Sequence, residues 1–351
     1  MPKIAGVFTA VPEHTLYQTD VKQFARYVFN SQENIDTLLT VFDNAQIEKR
    51  HFVVDLDWFA EPHNFTEVND LYIEEALTLS ERVVCGLADQ VGISTKEFDA
   101  IIFISTTGLS TPSIDARLFN RIALNNHIVR MPMWGLGCAG GAAGIARAFD
   151  YATAHPKAKV LVVSVELCGL AFKDRVTKSN IISTALFADG AAACLITGNE
   201  VELNAAGPAI LGSLSTIYDD TLDVMGWHIS EQGLEVVLSK DIPSIVTTLV
   251  KENISELLER YHLTFSDITH YVTHPGGRKV LEGYKHGIGV TDQDLRHSLN
   301  VLREFGNMSS ATVFFILERF MKEVQEGNKE YGLLSALGPG FSSELVLLQW
   351  K

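Results

Sequence analysis

Basic residues, paired cysteines and long apolar runs are all scarce in this chain, and each scarcity removes a class of function. Lys and Arg number 28 against 43 Asp and Glu, for a formal net charge of -15. That balance repels phosphate backbones and excludes sequence-independent nucleic-acid binding. The four cysteines, Cys85, Cys138, Cys168 and Cys194, form no C-x-x-C pair in 351 residues. A disulfide framework is excluded, and a reducing, cytoplasmic compartment is expected. No H-E-x-x-H or paired-cysteine spacing calls for a metal. No apolar run approaches the ~18 residues of a membrane span, and the opening "MPKIAGV" reads as a short strand without a secretory leader's core.

What the chain does have is enough apolar residue, 46% of the total, to fill more than one core, since single cores divide beyond ~250 to 300 residues. Short Val/Ile/Leu-rich runs alternate with longer stretches of helical period, an α/β pattern. Their order then repeats. A helical stretch from Asp70 to Val91 leads to "FDAIIFISTTG", the Cys138 segment, "KVLVVSVE" and "AAACLIT"; a second, from Ile242 to Tyr261, leads to "SDITHYVTHPGG", "GNMSSATVFFILERF", "GLLSAL" and "SELVLLQW". Two duplicated β-α-β-α-β halves are expected, residues 1–200 and 201–351, joined through Gly198 to Gly212 and stacked as α-β-α-β-α layers. Superposing them sets Asp99 against Asp267, Thr106 against His274, and Gly137-Cys138 against Gly306-Asn307.

Cys138 is the unusual thiol. Its bland reading is a small core hydrophobe, which suits Cys85 and Cys194. Cys138 instead heads a helix whose Ala142, Ala143, Ile145, Ala146, Ala148, Phe149 and Ala152 are apolar all round, as in a buried helix. Unsatisfied N–H groups at a helix start favour an anion and predict a lowered thiol pKa, with the flanking glycines leaving room for an acyl group and an oxyanion. The same letters, Gly135 to Gly140, also spell G-x-G-x-x-G, but Pro132 interrupts the strand a dinucleotide site needs, and the nearest acid, Glu166, comes late. His274 ends a strand and is held at its tip by Pro275-Gly276-Gly277. Asn307 reads alone as an ordinary N-cap; beside Cys and His its amide N–H could stabilise an enolate or oxyanion.

The succession "GCAGG", "LFADGA", "HPGG", "GNMSS" and "LGPGF" resembles the type III polyketide synthases, the chalcone synthase-like family, in a bacterial, alkylpyrone synthase-like form. The resemblance implies the thiolase-like fold, a homodimer, and a catalytic Cys138, His274 and Asn307. It implies acyl-CoA and malonyl-CoA as substrates and no cofactor beyond them. Cys138 would carry the acyl starter while His274 and Asn307 hold the malonyl thioester during decarboxylation, and the poly-β-keto chain would cyclise before release. Phe187 matches a gatekeeper phenylalanine. Thr106, Thr107, Ser309 and Pro339 fall at further cavity positions.

The departures are specific. "TLLTVFDN", Thr37 to Asn44, stands where plant members carry a Lys-x-x-Arg-x-x-x-Lys pattern for the coenzyme A phosphates. Arg278 and Lys279, with Gly276 at the same turn, are the substitutes expected at the tunnel opening, followed by Lys49 and Arg50. Val236 replaces a second gatekeeper phenylalanine, Ala171 a threonine-like position, and Trp227 a glycine. Val236 and Ala171 make room and Trp227 fills part of it; an aliphatic, long-chain starter and an α-pyrone or resorcinol-like product are expected from the space that is left. A ketoacyl-ACP synthase III-like enzyme performing one condensation, and an acyl-CoA-binding scaffold without catalysis, are the alternatives that share the fold.

Overall fold

The buried strands sort their side chains by parity, as the two-residue period of a pleated strand requires. In the computed structural model, Ala100, Ile102, Ile104, Val160, Val162, Ala192 and Cys194 face one core, while Ile101, Phe103, Leu161, Val163, Ala191 and Ala193 face another. In the second half Val272, Leu334, Ala336, Val346 and Leu348 join that first core, and Tyr271, Leu333, Leu345 and Leu347 enter a third. The described residues are 1–29, 34–173, 175, 177–203, 207–239, 242–324, 327 and 329–350. Residues 204–206, inside the expected joining stretch, lie outside them.

The core shared by both halves contains the two helices Gly140–Ala154 and Thr312–Glu323. Helix Phe65–Val91 covers the outer face of the first half, and helices Ile242–Arg260 and Arg278–Ile288 cover that of the second. The result is the expected α-β-α-β-α layering. The hydrogen-bonded order is Ile268–Thr273, Glu330–Gly338, Ser342–Trp350, Ala209–Ile217, Lys3–Ala10, Asp189–Thr197, Lys159–Leu167, Ala100–Ile104 and Val129–Met133. The halves are thus one continuous sheet, joined by the pair Lys3 and Ala209 and by bonds from Ile4 N–H to Pro208 and Ile210 N–H to Pro2.

Two local expectations are corrected. Helix Phe65–Val91 starts before Asp70 because Asn64 and Glu67 form a reciprocal capping box. Val129–Met133 is a strand despite Pro132, because it is the edge of the sheet and, among the described residues, pairs only with Ala100–Ile104; a missing N–H on the free side costs no ladder bond.

Candidate active site

Cys138 sits in a short 3-10 turn, Gly137–Ala139, directly before helix Gly140–Ala154. The glycines there serve close packing. A Cβ on Gly137, at φ 47°, would lie 2.7 Å from Pro339 Cδ, and one on Gly140 would lie 2.7 Å from Ile104 Cγ2. A Cβ on Gly141 would collide with the Ser310 carbonyl. Gly137 and Gly140 of the G-x-G-x-x-G spelling therefore press the turn and helix start onto the sheet and the second half, whereas Gly135 has open space and serves a bend at φ 93°. The matching turn in that half is Ser309–Ala311, before helix Thr312–Glu323. Ser310, not Asn307, holds the place in its turn that Cys138 holds in the first.

Asn307 precedes that turn and is fixed from both sides. Its Nδ2 donates to the Gly276 carbonyl at 2.9 Å, and its Oδ1 accepts from the Ser309 N–H at 2.8 Å and from the Cys138 thiol at 3.9 Å. A carbonyl on one side and an N–H on the other allow one orientation of the amide, and leave one Nδ2 hydrogen unused. His274 follows strand Ile268–Thr273, its N–H donating to Ser335 at 2.8 Å. Its ring is buried, and neither nitrogen has a hydrogen-bond partner among the described residues. Buried polar atoms are rarely left so, and these line a cavity.

Burial governs the electrostatics. It pushes the Cys138 thiol up to about 12, against the helix-start lowering expected from sequence, with the Ser309 and Asn307 hydrogen bonds opposing it. It pushes the His274 imidazole down to about 3. Each charge alone is disfavoured, so a Cys138 thiolate needs a cation created beside it, and transfer of its proton to an imidazole does that without changing the net charge of the site. Glu166, read from sequence only as a weak nucleotide contact, is fully buried behind the turn. It accepts from the Thr106 N–H at 3.0 Å and from the Ser309 and Ser310 hydroxyls, and burial raises it to about 7.

Cys138, His274, Asn307, Ser309 and Pro339 all line a cavity of about 300 Å³, with Gly276, Arg278 and Lys279 also on its wall. Phe187, Trp227, Val236 and Cys168 line both this cavity and a smaller one of about 40 Å³. The smaller one also takes Ala171 and an aromatic cluster in which Phe172 lies 5.9 Å from Phe24 and 5.5 Å from Phe59. Trp227 and Val236, read separately in sequence, are direct cross-strand partners in the hairpin Met225–Ser230 and Gly233–Leu238. Cys168 and Lys178 are lining residues that sequence reasoning missed; neither stands in a motif.

Four expected residues are absent from the wall of the large cavity, and one of them, Arg50, lines the smaller one. Thr106 and Thr107 line neither cavity: Thr106 N–H is held by Glu166, and Thr107 Oγ1 accepts from Leu167 N–H at 2.9 Å. Arg50 cannot meet a phosphate at the opening, because it is buried and its guanidinium donates to Thr184, Phe187 and Gln18 at 2.7 to 2.8 Å. Lys49, on the short strand Lys49–Phe52 paired with Tyr17, is not on the cavity wall.

The family models for Chalcone and stilbene synthases match the N-terminal domain at residues 3–200 and the C-terminal domain at residues 209–350. The chain belongs to the chalcone and stilbene synthase family. Similar proteins include "Putative chalcone synthase" of Bacillus subtilis, 41% identical over 100% of this chain and 99% of that one. A 1,3,6,8-tetrahydroxynaphthalene synthase of Streptomyces peucetius is 33% identical over 99% and 93%. The crystal structure of 1,3,6,8-tetrahydroxynaphthalene synthase from Streptomyces coelicolor, a bacterial type III polyketide synthase, superposes with a TM-score of 0.94 at 27% identity, covering 99% of each chain. This family member is a type III polyketide synthase of the bacterial type: a transferase that performs decarboxylative Claisen condensation on coenzyme A thioesters. No described helix is long and apolar enough to cross a membrane.

Proposed function

We propose that this synthase extends an aliphatic acyl starter with malonyl-CoA and releases an α-pyrone or resorcinol-like product. The observation that carries the reading is the largely apolar side pocket that shares Cys168, Phe187, Trp227 and Val236 with the large cavity and is walled further by Ala171, Phe24, Phe59 and Phe172. Each methylene moved there from water contributes ~0.8 kcal/mol. Cys138 is the nucleophile: His274 takes its proton, the thiolate sulfur bonds to the starter carbonyl carbon, and coenzyme A leaves as the thiol. In extension, the free Asn307 Nδ2 hydrogen and a His274 N–H donate to the malonyl thioester oxygen. Carbon dioxide departs, and the resulting enolate carbon attacks the Cys138-bound carbonyl, freeing the thiolate. Residues 1–200 and 201–351 act as two halves of one catalytic unit. Two copies pair through the edge strand Val129–Met133, where Val129, Trp134 and Leu109 are exposed; the cytoplasm is the compartment.

A second reading follows the 33% identical relative, whose named product, 1,3,6,8-tetrahydroxynaphthalene, carries no alkyl tail. Mass spectrometry of products from malonyl-CoA alone and with a panel of acyl-CoAs separates the two. Products that keep the acyl tail support the aliphatic reading. Naphthalene-type products from malonyl-CoA alone, or turnover of aromatic starters only, overturn it, and a single two-carbon addition on a carrier protein marks a one-condensation enzyme.

A further inference from the structure

In a chain with 43 acidic and 28 basic residues, the large cavity is lined by Lys178, Arg278 and Lys279 and by no Asp or Glu among the described residues. Only three of its lining residues are exposed, Asn44, Lys178 and Lys279, and these mark its mouth. Arg278 is engaged, with Glu282 at 2.6 Å and Asp292 at 3.6 Å. Lys178 and Lys279 have no ion-pair or hydrogen-bond partner among the described residues. Asn44 ends helix Ile35–Asn44, which carries no basic residue in its last turn and supplies no cation to the mouth. The buried part of the same wall holds His274, whose two ring nitrogens have no partner among the described residues.

We infer that Lys178, on helix Lys178–Leu186, is a binding residue for the phosphates at the adenosine end of coenzyme A, acting with Lys279 across the mouth. This rests on the reading that the cavity takes coenzyme A thioesters. An ammonium is a compact point charge suited to phosphate oxygens and carries its charge throughout the working pH range. Two lysines at one opening make a small positive site in a negative field, which fits a small polyanion. A broad acidic surface, such as that of an acidic carrier protein, would meet the repulsion of the remaining net charge.

The test is calorimetric binding of coenzyme A and of pantetheine, which lacks the nucleotide phosphates, to the full chain and to K178A, K178A/K279A and, as a charge control, K157A, at the exposed surface position Lys157. Coenzyme A binding should weaken about threefold in K178A and about tenfold in the double variant, and the losses should shrink as salt rises. Pantetheine binding should not follow this pattern, and K157A should match the parent. With acyl-CoA as substrate, KM should rise by the same factors while kcat holds. Equal coenzyme A affinity in parent and double variant overturns the assignment, as does an equal loss of pantetheine binding, which marks a structural role. Lys178-dependent coenzyme A binding by a protein that forms no polyketide would keep this inference and overturn the proposed synthesis.

Discussion

Phe187 and Asn307 are joined by a parallel backbone bridge: the Asn307 N–H donates to Leu186 and its carbonyl accepts from the Ala188 N–H, each at 2.9 Å. The backbone carrying the Phe187 ring, which lines both cavities, and that carrying the amide beside Cys138 are therefore tied into one hydrogen-bonded unit. Arg50 holds that unit from behind through the Phe187 and Thr184 carbonyls. Gly306, at φ 72° and ψ -158°, gives its stem room.

A Cβ on Gly306 would lie 2.7 Å from Arg50 Cγ and Cδ and 3.0 Å from the Leu186 carbonyl. Backbone conformation of this kind costs a residue other than glycine about 1 to 3 kcal/mol before the overlap is counted. Gly306→Ala should lower stability by about 2 to 4 kcal/mol and reduce product formation more than folding yield, since both Phe187 and Asn307 shift. Arg50→Ala leaves three acceptors unpaired and should cost a similar amount. Denaturant unfolding of the double variant checks the coupling: removal of the Arg50 stem relieves the overlap, so the double variant should lose less stability than the sum of the two single losses.

Burial alone would keep the Cys138 thiol protonated, so its reactivity should depend on His274. In His274→Gln, alkylation of Cys138 by iodoacetamide at pH 7 should slow at least about tenfold and should rise steadily with pH toward the burial-set value of about 12. A rate unchanged by the substitution, followed by mass spectrometry of the Cys138 peptide, would show that the imidazole does not hold the thiolate.

Loading and decarboxylation separate in Cys138→Ala. The variant should form no polyketide and bind no acyl group covalently, yet still release carbon dioxide from malonyl-CoA, because His274 and Asn307 remain. Radiolabelled malonyl-CoA measures the gas directly; polyketide from this variant would refute the nucleophile assignment.

Glu166 makes stability pH-dependent. Its folded value is raised from 4.5 to about 7 by burial. Between those pH values the folded protein retains a proton that the unfolded chain has released, so this residue's contribution falls as pH rises through the window and stays lost above it. Glu166→Gln should flatten that part of the profile. Chemical unfolding of both proteins at intervals from pH 4.5 to pH 8 reads the difference; parallel curves would contradict the assignment.

Much of this was legible in one dimension. Strand Ala100–Ile104 is a continuous apolar run and Lys159–Leu167 nearly one, and the helix after Cys138 is apolar around most of its circumference, so burial and layer order follow largely from side-chain period. The thiol, imidazole and amide could be picked out because each interrupts an apolar element at its end. The cavity wall was not legible in the same way. Helices Gln18–Val28, Ile35–Asn44 and Lys178–Leu186 and the hairpin holding Trp227 and Val236 are short, and no motif marks them. Which of their side chains face the cavity depends on packing between distant segments. The sequence by itself determined two duplicated halves and three polar groups at element ends. Only tertiary structure decided that Arg50 is a buried tie and Lys178 a residue of the mouth, because a cation's surroundings are set by the segments packed against it and not by its neighbours in the chain.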